Sequence, residues 1–296
     1  MIRHDQSNAA LVILLALFAP LTVVTTGYAA EPETLPNTKP LTVTGDVASR
    51  MIDGVDRFLL RELERSVARR AQHWNRDTSS PTAYNASIEP NRQRLAHILG
   101  VRDDRVDFAH PELISTTVHS ALVAKGPGFD VYAIRWPSVR GMHGEGLMLV
   151  PSNGKPLADI VAIPDASQTP EQLVGLTPGV PAASQFPRHL AAAGCRVIVP
   201  SLISRDMQRR GPPGRRGRAN LTHREYVYRA AFEMGRHLIG YELQKVLACV
   251  DWFSKVRDHP LTIGVIGYGE GGMLALYAGA LDPRIGGGCV SGHVGS

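Results

Sequence analysis

Apolar residues recur along this chain with two different periods, and the change between them marks its organisation. From Asp46 they fall at Met51, Val55, Phe58 or Leu59, Leu63 and Val67, with the charged run RELERSVARR on the other side. Steps of three and four residues place these side chains on one stripe of a 3.6-residue helix. The spacing therefore predicts a long amphipathic helix whose Met/Leu stripe is a packing surface. After a break at DTSSPTAYNAS, the segment NRQRLAHILG repeats the helical step and stops at Gly100, a residue suited to the position just past a helix. The Pro/Thr-rich stretch 31–44 ahead of both reads as a tether, so residues 31–105 form a tether and helical lead-in.

From about Phe129 the period shortens. FDVYAIRWP and GEGLMLVP are β-rich runs separated by SVRGMHGEG, which predicts a hairpin or adjacent antiparallel strands. DIVAIPDA and GCRVIVPSL are nearly continuous apolar runs, as expected of parallel strands covered on both faces, and the helix QFPRHLAAAG precedes the second. A long helix follows from about His223 to Phe253, broken around Gly240. The strand LTIGVIG, a glycine turn, the helix GMLALYAGAL and a last strand IGGGCVSGHVG complete the series. Alternating strands and helices over residues 106–296 predict an α/β domain with a doubly wound, mostly parallel sheet.

The first thirty residues stand apart. Arg3 and His4 precede the apolar run Leu11–Val24, and Gly27-Tyr28-Ala29 offers small residues where a signal peptidase reads. Residues 1–30 are thus expected to be a signal peptide, with the protein periplasmic or extracellular. As a membrane anchor the run is short of the roughly 20 apolar residues a span requires, and it contains Pro20.

Composition adds little chemistry. With 44% hydrophobic residues in 296, the chain has material for a substantial core. Cys195, Cys249 and Cys289 cannot all pair with one another, and each lies in an apolar stretch where a thiol behaves as a small hydrophobe. His143, His223, His237 and His293 stand singly, so no metal site and no cofactor is expected. The net charge of +5 has its sharpest local source in RRGPPGRRGR, Arg209 to Arg218. No aromatic residue interleaves those arginines, so a solvated loop is favoured and no nucleic-acid partner is expected. Oligomeric state leaves no signature.

The glycine cluster IGYGEGG supports two readings. As Gly267-x-Gly269-x-x-Gly272 it matches a dinucleotide fingerprint, which normally opens a fold and is followed by an acidic residue roughly 20 positions later. Here the next strand ends in Ser291-Gly292-His293 instead. As Gly267-x-Gly269-x-Gly271 it is a nucleophile elbow, with the small residues that a sharp strand-to-helix bend needs at the two flanking positions. Several strands precede it, as an elbow requires.

On GEGLMLVP, VAIPDASQTPEQL, the segment 223–253 and IGYGEGGMLALYAGALDPRI, the chain resembles the α/β-hydrolase superfamily, and within it the dienelactone-hydrolase and acetyl-xylan-esterase-like branch. The resemblance implies an α/β-hydrolase-like sheet, incomplete at its C-terminus, and a small-molecule or carbohydrate ester as ligand. It implies two backbone oxyanion donors, at Glu270 and at Asp165-Ala166. Two departures matter. The nucleophile position is Gly269, which has no side chain, and His293 comes too early to be the base in the order of that group. Glu270 cannot replace the serine, because that frame puts Tyr268 where the bend needs a small residue, although it remains available for binding. Ser167, Ser201, Ser204 and Ser291 follow apolar strands without an evident base and read as loop residues, and His223-Arg224-Glu225 reads as a helix start. The expected protein is esterase-related and lacks a complete Ser-His-Asp triad. The alternatives are a non-catalytic carbohydrate- or ester-binding protein and an esterase using unconventional residues.

Overall fold

The structure is a computed structural model that describes residues 35–207, 221–256 and 262–293. The expected signal peptide and the basic run 209–218 lie outside the described residues. The chain divides into two units, 1–66 and 67–296, the boundary falling inside the first helix.

Helix α1 (Val47–Ala71) covers the predicted periodic stretch. Asp46 starts it, its Oδ1 accepting the Ser49 N–H at 3.1 Å. No residue of α1 is buried, and Met51, Val55, Phe58 and Leu63 are all exposed. Among the described residues nothing buries the stripe expected to pack: periodicity reports a face able to pack, and does not supply its partner.

Helix α2 (Pro81–Leu99) begins inside the stretch expected to be a break. Ser80 accepts the Ala83 N–H at 3.1 Å and Pro81 occupies the first turn, where its missing N–H costs nothing. Gly100, at φ 76°, ends it as expected.

The strands are β1 (Glu112–Leu113), β2 (Leu122–Gly126), β3 (Phe129–Val139), β4 (Met142–Pro151) and β5 (Ala158–Ile163). Then come α3 (Pro170–Leu173), α4 (Phe186–Ala192), β6 (Arg196–Pro200), α5 (His223–Glu233), α6 (Leu238–Lys255), β7 (Thr262–Tyr268), α7 (Glu270–Leu281) and β8 (Ile285–Ser291). The eight described strands form one sheet, ordered β1-β3-β4-β6-β5-β7-β8 with β2 also on β3. The first strands, as far as the β4–β6 pair, run antiparallel. The half β6-β5-β7-β8 is parallel and carries the elbow. The predicted hairpin is β3–β4, turned at Arg140-Gly141.

Alternate residues of one strand serve opposite faces. Val197 and Val199 of β6 join Leu149, Leu173 and Ala191 in one core cluster, whereas Ile198 joins Trp136, Leu243, Val250, Phe253 and Leu274 in the other. Helices α3 and α4 thus cover one face, and α6 and α7 the other.

The long helix predicted for residues 223–253 is two helices, parting at Met234–His237 and not at Gly240. Gly235 takes φ 65° there, a conformation that suits glycine. Gly240 lies within α6, where a Cβ would collide with the Gly100 carbonyl, so its purpose is close approach to the end of α2. Cys249 is buried, but Cys289, expected to sit among apolar neighbours, is exposed on β8, which has a strand partner on one side only among the described residues.

Candidate functional site at the strand ends

Strand β7 passes through Gly269 directly into α7. Gly269 adopts φ 58° and ψ −124°, which an L side chain occupies only under strain, and this is the sharp bend of an elbow. The flanking glycines are required by contact. A Cβ on Gly267 would meet the Gly271 carbonyl oxygen, and one on Gly271 would meet the Ile163 and Pro164 carbonyl oxygens at the end of β5.

The space that a side chain at position 269 would need is occupied. A Cβ on Gly269 would collide with Asp165 Oδ2, and the same oxygen accepts the Glu270 N–H at 3.0 Å. Asp165 Oδ1 accepts from the Ser167 N–H at 2.9 Å and from Arg205 at 2.7 Å. Burial pushes the Asp165 carboxyl up, but the Ser167 N–H and the Arg205 guanidinium outweigh it and hold the group below the ordinary carboxylate range. The Asp165 N–H itself is directed at Gln168 Oε1, at 3.4 Å, and Ala166 is buried. Of the backbone donors named from sequence, that of Glu270 is thus held by a carboxylate of the protein.

From Asp165 a line of alternating charges runs inward. Arg205 bridges Asp165 and Glu270, at 2.7 Å to each. Glu270 pairs also with Arg224, which donates to the Ile203 carbonyl at 2.7 Å and lies 3.4 Å from Glu242. Glu242, fully buried, accepts the Ile203 N–H at 2.7 Å and pairs with Lys245, which donates to the Ser201 carbonyl at 2.8 Å. Three carboxylates alternate with three cations, so the line is neutral. It ties the loops after β5 and β6 to α5, α6 and α7. Burial lowers the Arg224 pKa while Glu242 opposes that shift.

Arg205, Arg224, Glu242 and Lys245 had no functional reading in the sequence. One signal was available for two of them: Glu242 and Lys245 interrupt an otherwise apolar helix face three residues apart, and charges in such a place need partners.

The candidate serines separate. Ser201 is tied to β4, its N–H donating to the Glu145 carbonyl at 2.7 Å, and Ser167 Oγ accepts from Arg205 at 2.8 Å. Ser291 lines a cavity of about 500 Å³ beside the elbow strand, together with Gln168, Leu173, Phe186, Ile266 and Tyr268. Ser204 differs, and here the sequence reading is corrected: it does have a histidine, its Oγ lying 3.1 Å from His223 Nδ1. The loop after β6 and the start of α5 bring together two residues that are 19 apart in sequence. Among the described residues no group of three or more His, Cys, Asp and Glu side chains gathers as a metal site.

No protein-family model matches the sequence, and no curated protein matches it. Solved structures do. A putative acetyl xylan esterase from Bacteroides fragilis is 18% identical with a TM-score of 0.51, over 72% of this chain and 54% of that one. Acetyl xylan esterase 1 from a Thermoanaerobacterium species is 17% identical with a TM-score of 0.40, over 67% of this chain and 56% of that one. The likeness to the Bacteroides protein is one of fold, and it agrees with the doubly wound, mostly parallel α/β sheet expected from sequence. The chain spans about half the length of that esterase.

Proposed function

We propose that this chain is an exported protein of esterase descent whose strand-end site binds a small carboxylic or carbohydrate ester without forming an acyl-enzyme at the elbow. The observation that carries this is the Asp165 carboxylate, seated against Gly269 and on the Glu270 N–H. Acyl transfer needs a nucleophile at the bend and a free N–H for the developing oxyanion. This elbow has no side chain for the first and a resident anion on the second. The cavity beside β7, with Phe186 and Tyr268 among its walls and Gln168 and Ser291 as polar groups, has the size and lining of a small-ligand pocket. Export rests on the pattern of residues 1–30.

Ser204 supports a second reading. A hydroxyl within hydrogen-bond reach of a histidine nitrogen is the arrangement by which a base can activate a serine, and the pair sits at the same strand ends as the charge line. In this reading Ser204 would take the acyl group and His223 the proton. One experiment separates the two: treat the purified chain with a fluorophosphonate, then measure p-nitrophenyl acetate turnover. The binding reading expects no stoichiometric labelling and only background turnover. Labelling of Ser204 that is lost in Ser204→Ala, with turnover lost in His223→Gln, establishes the second reading.

A further inference from the structure

A second concave region lies away from the strand ends, where the last turn of α1 and the residues after it face α2 and α7. The cavity is about 710 Å³, and its walls include Arg70, His73, Trp74, Arg76, Tyr84 and Arg94, with no aspartate or glutamate among them. It shares no residue with the elbow site.

Two of the cations here are held by neutral partners. The Arg76 guanidinium lies 4.4 Å from the centre of the Trp74 ring, and Arg94 donates to His73 Nε2 at 3.0 Å. Only Arg92, on the same wall, is built into the scaffold: it donates to Asn85 Oδ1 at 2.8 Å and to the Ala280 carbonyl at 3.3 Å, with Glu89 3.8 Å away. Positive charge in a concavity without internal anions raises the local concentration of an external one. Trp74 is 51% exposed, and Tyr84 is partly exposed beside it.

We infer that this cavity binds an acidic oligosaccharide, one sugar ring stacking on Trp74 while its carboxylate or sulfate group is taken by Arg76 and Arg94. A guanidinium fork suits planar or multidentate oxyanions. The aromatic wall suits the apolar face of a ring and gives a bare inorganic anion nothing to contact. The volume falls within the range of roughly 300–1,000 Å³ usual for small-ligand sites, which fits two or three sugar units better than a polymer track. Nucleic acid fits less well, because single strands are bound along extended grooves with successive stacking platforms.

Of the three tryptophans, Trp136 and Trp252 are buried, so ligand-induced change in tryptophan emission reports on Trp74. The full chain is titrated at low ionic strength with trigalacturonate and, separately, with a sulfated tetrasaccharide; neutral xylotriose, inorganic sulfate and a thymidine hexanucleotide are the controls. Saturable quenching by either acidic saccharide is expected, weakened at least tenfold by 0.5 M NaCl, by Arg94→Ala and by Arg76→Ala. Which of the two binds more tightly identifies the anionic group. The circular dichroism and melting temperature of both variants should match the parent, and in Trp74→Phe binding should persist by calorimetry. No saturable response to either saccharide up to about 10 mM would overturn the inference, as would equal affinity for xylotriose or for sulfate alone, or tighter binding of the oligonucleotide. Because the cavity is separate from the elbow, such a failure leaves the strand-end reading untouched.

Discussion

Two arginine-rich regions among the described residues handle their charge in opposite ways. At the strand ends Arg205 and Arg224 alternate with Asp165, Glu270 and Glu242, and the line closes on Lys245 with no net charge. In the cavity by α2, Arg76 and Arg94 rest on an aromatic ring and a histidine. Guanidinium groups satisfied by carboxylates act as internal ties, and an approaching anion must displace one of them. Guanidinium groups resting on neutral partners keep their field for something outside. The bend at Gly269 is thereby filled from within by Asp165, while the cavity by α2 is left charged.

The largest effect expected from this difference is at Arg224. Changing Arg224→Ala takes one of two cations from Glu242, fully buried, and from Glu270, leaving them Lys245 and Arg205. Breaking a buried pair costs about 3–5 kcal/mol, and a loss near the lower end of that range is expected. Urea unfolding measures this, and a cost below about 1 kcal/mol would show that water already reaches the line.

Gly269→Ser comes next. It forces a side chain onto a strained backbone conformation and against Asp165, so a loss of about 1–3 kcal/mol is expected by the same measurement. No p-nitrophenyl acetate hydrolysis should be gained, since the new hydroxyl would still lack a triad base and would compete with Asp165 for the Glu270 N–H. Hydrolysis that appears in this variant would show the elbow to be one substitution from activity.

A smaller effect concerns pH. Asp165 ionises in the folded protein below its ordinary value of 3.8, so its contribution is complete above that value and is lost as pH falls through the lower folded pKa. Stability should therefore drop more between about pH 5 and pH 3 in the parent than in Asp165→Asn. Parallel profiles would mean that the Ser167 and Arg205 bonds do not favour the charged form. The smallest effect is that of Arg94→Ala on folding, expected within about 0.5 kcal/mol because its partner is neutral and no carboxylate is stranded. A loss comparable to that at Arg224 would erase the distinction between the two regions.

Much of this was legible in the order of residues because it depends on near neighbours. The period of two in the β3 and β4 segments, the apolar runs of β5, β6 and β7 and the glycine spacing at 267, 269 and 271 are local properties, and each maps directly onto a strand or a bend. The start of α2 at Ser80 is also local: Ser-Pro reads as a break, yet the same two residues serve as a cap and a first-turn proline. The parting of α5 and α6 was placed at the wrong glycine, because Gly235 is needed for its backbone angle and Gly240 for contact with a residue some 140 positions away.

The absence of a nucleophile at position 269 was therefore fixed by sequence alone, since a missing side chain needs no structure to be recognised. What fills its place was decided only in three dimensions. Asp165 stands 105 residues from the N–H it accepts, and Ser204 reaches a histidine that the sequence reading had assigned to a helix start. Whether a charge is an internal tie or an open invitation is likewise a tertiary property. The same arginine is neutralised or left available according to which side chains the fold brings within about 4 Å, because Coulomb attraction and hydrogen bonding fall off over that distance and take no account of separation along the chain.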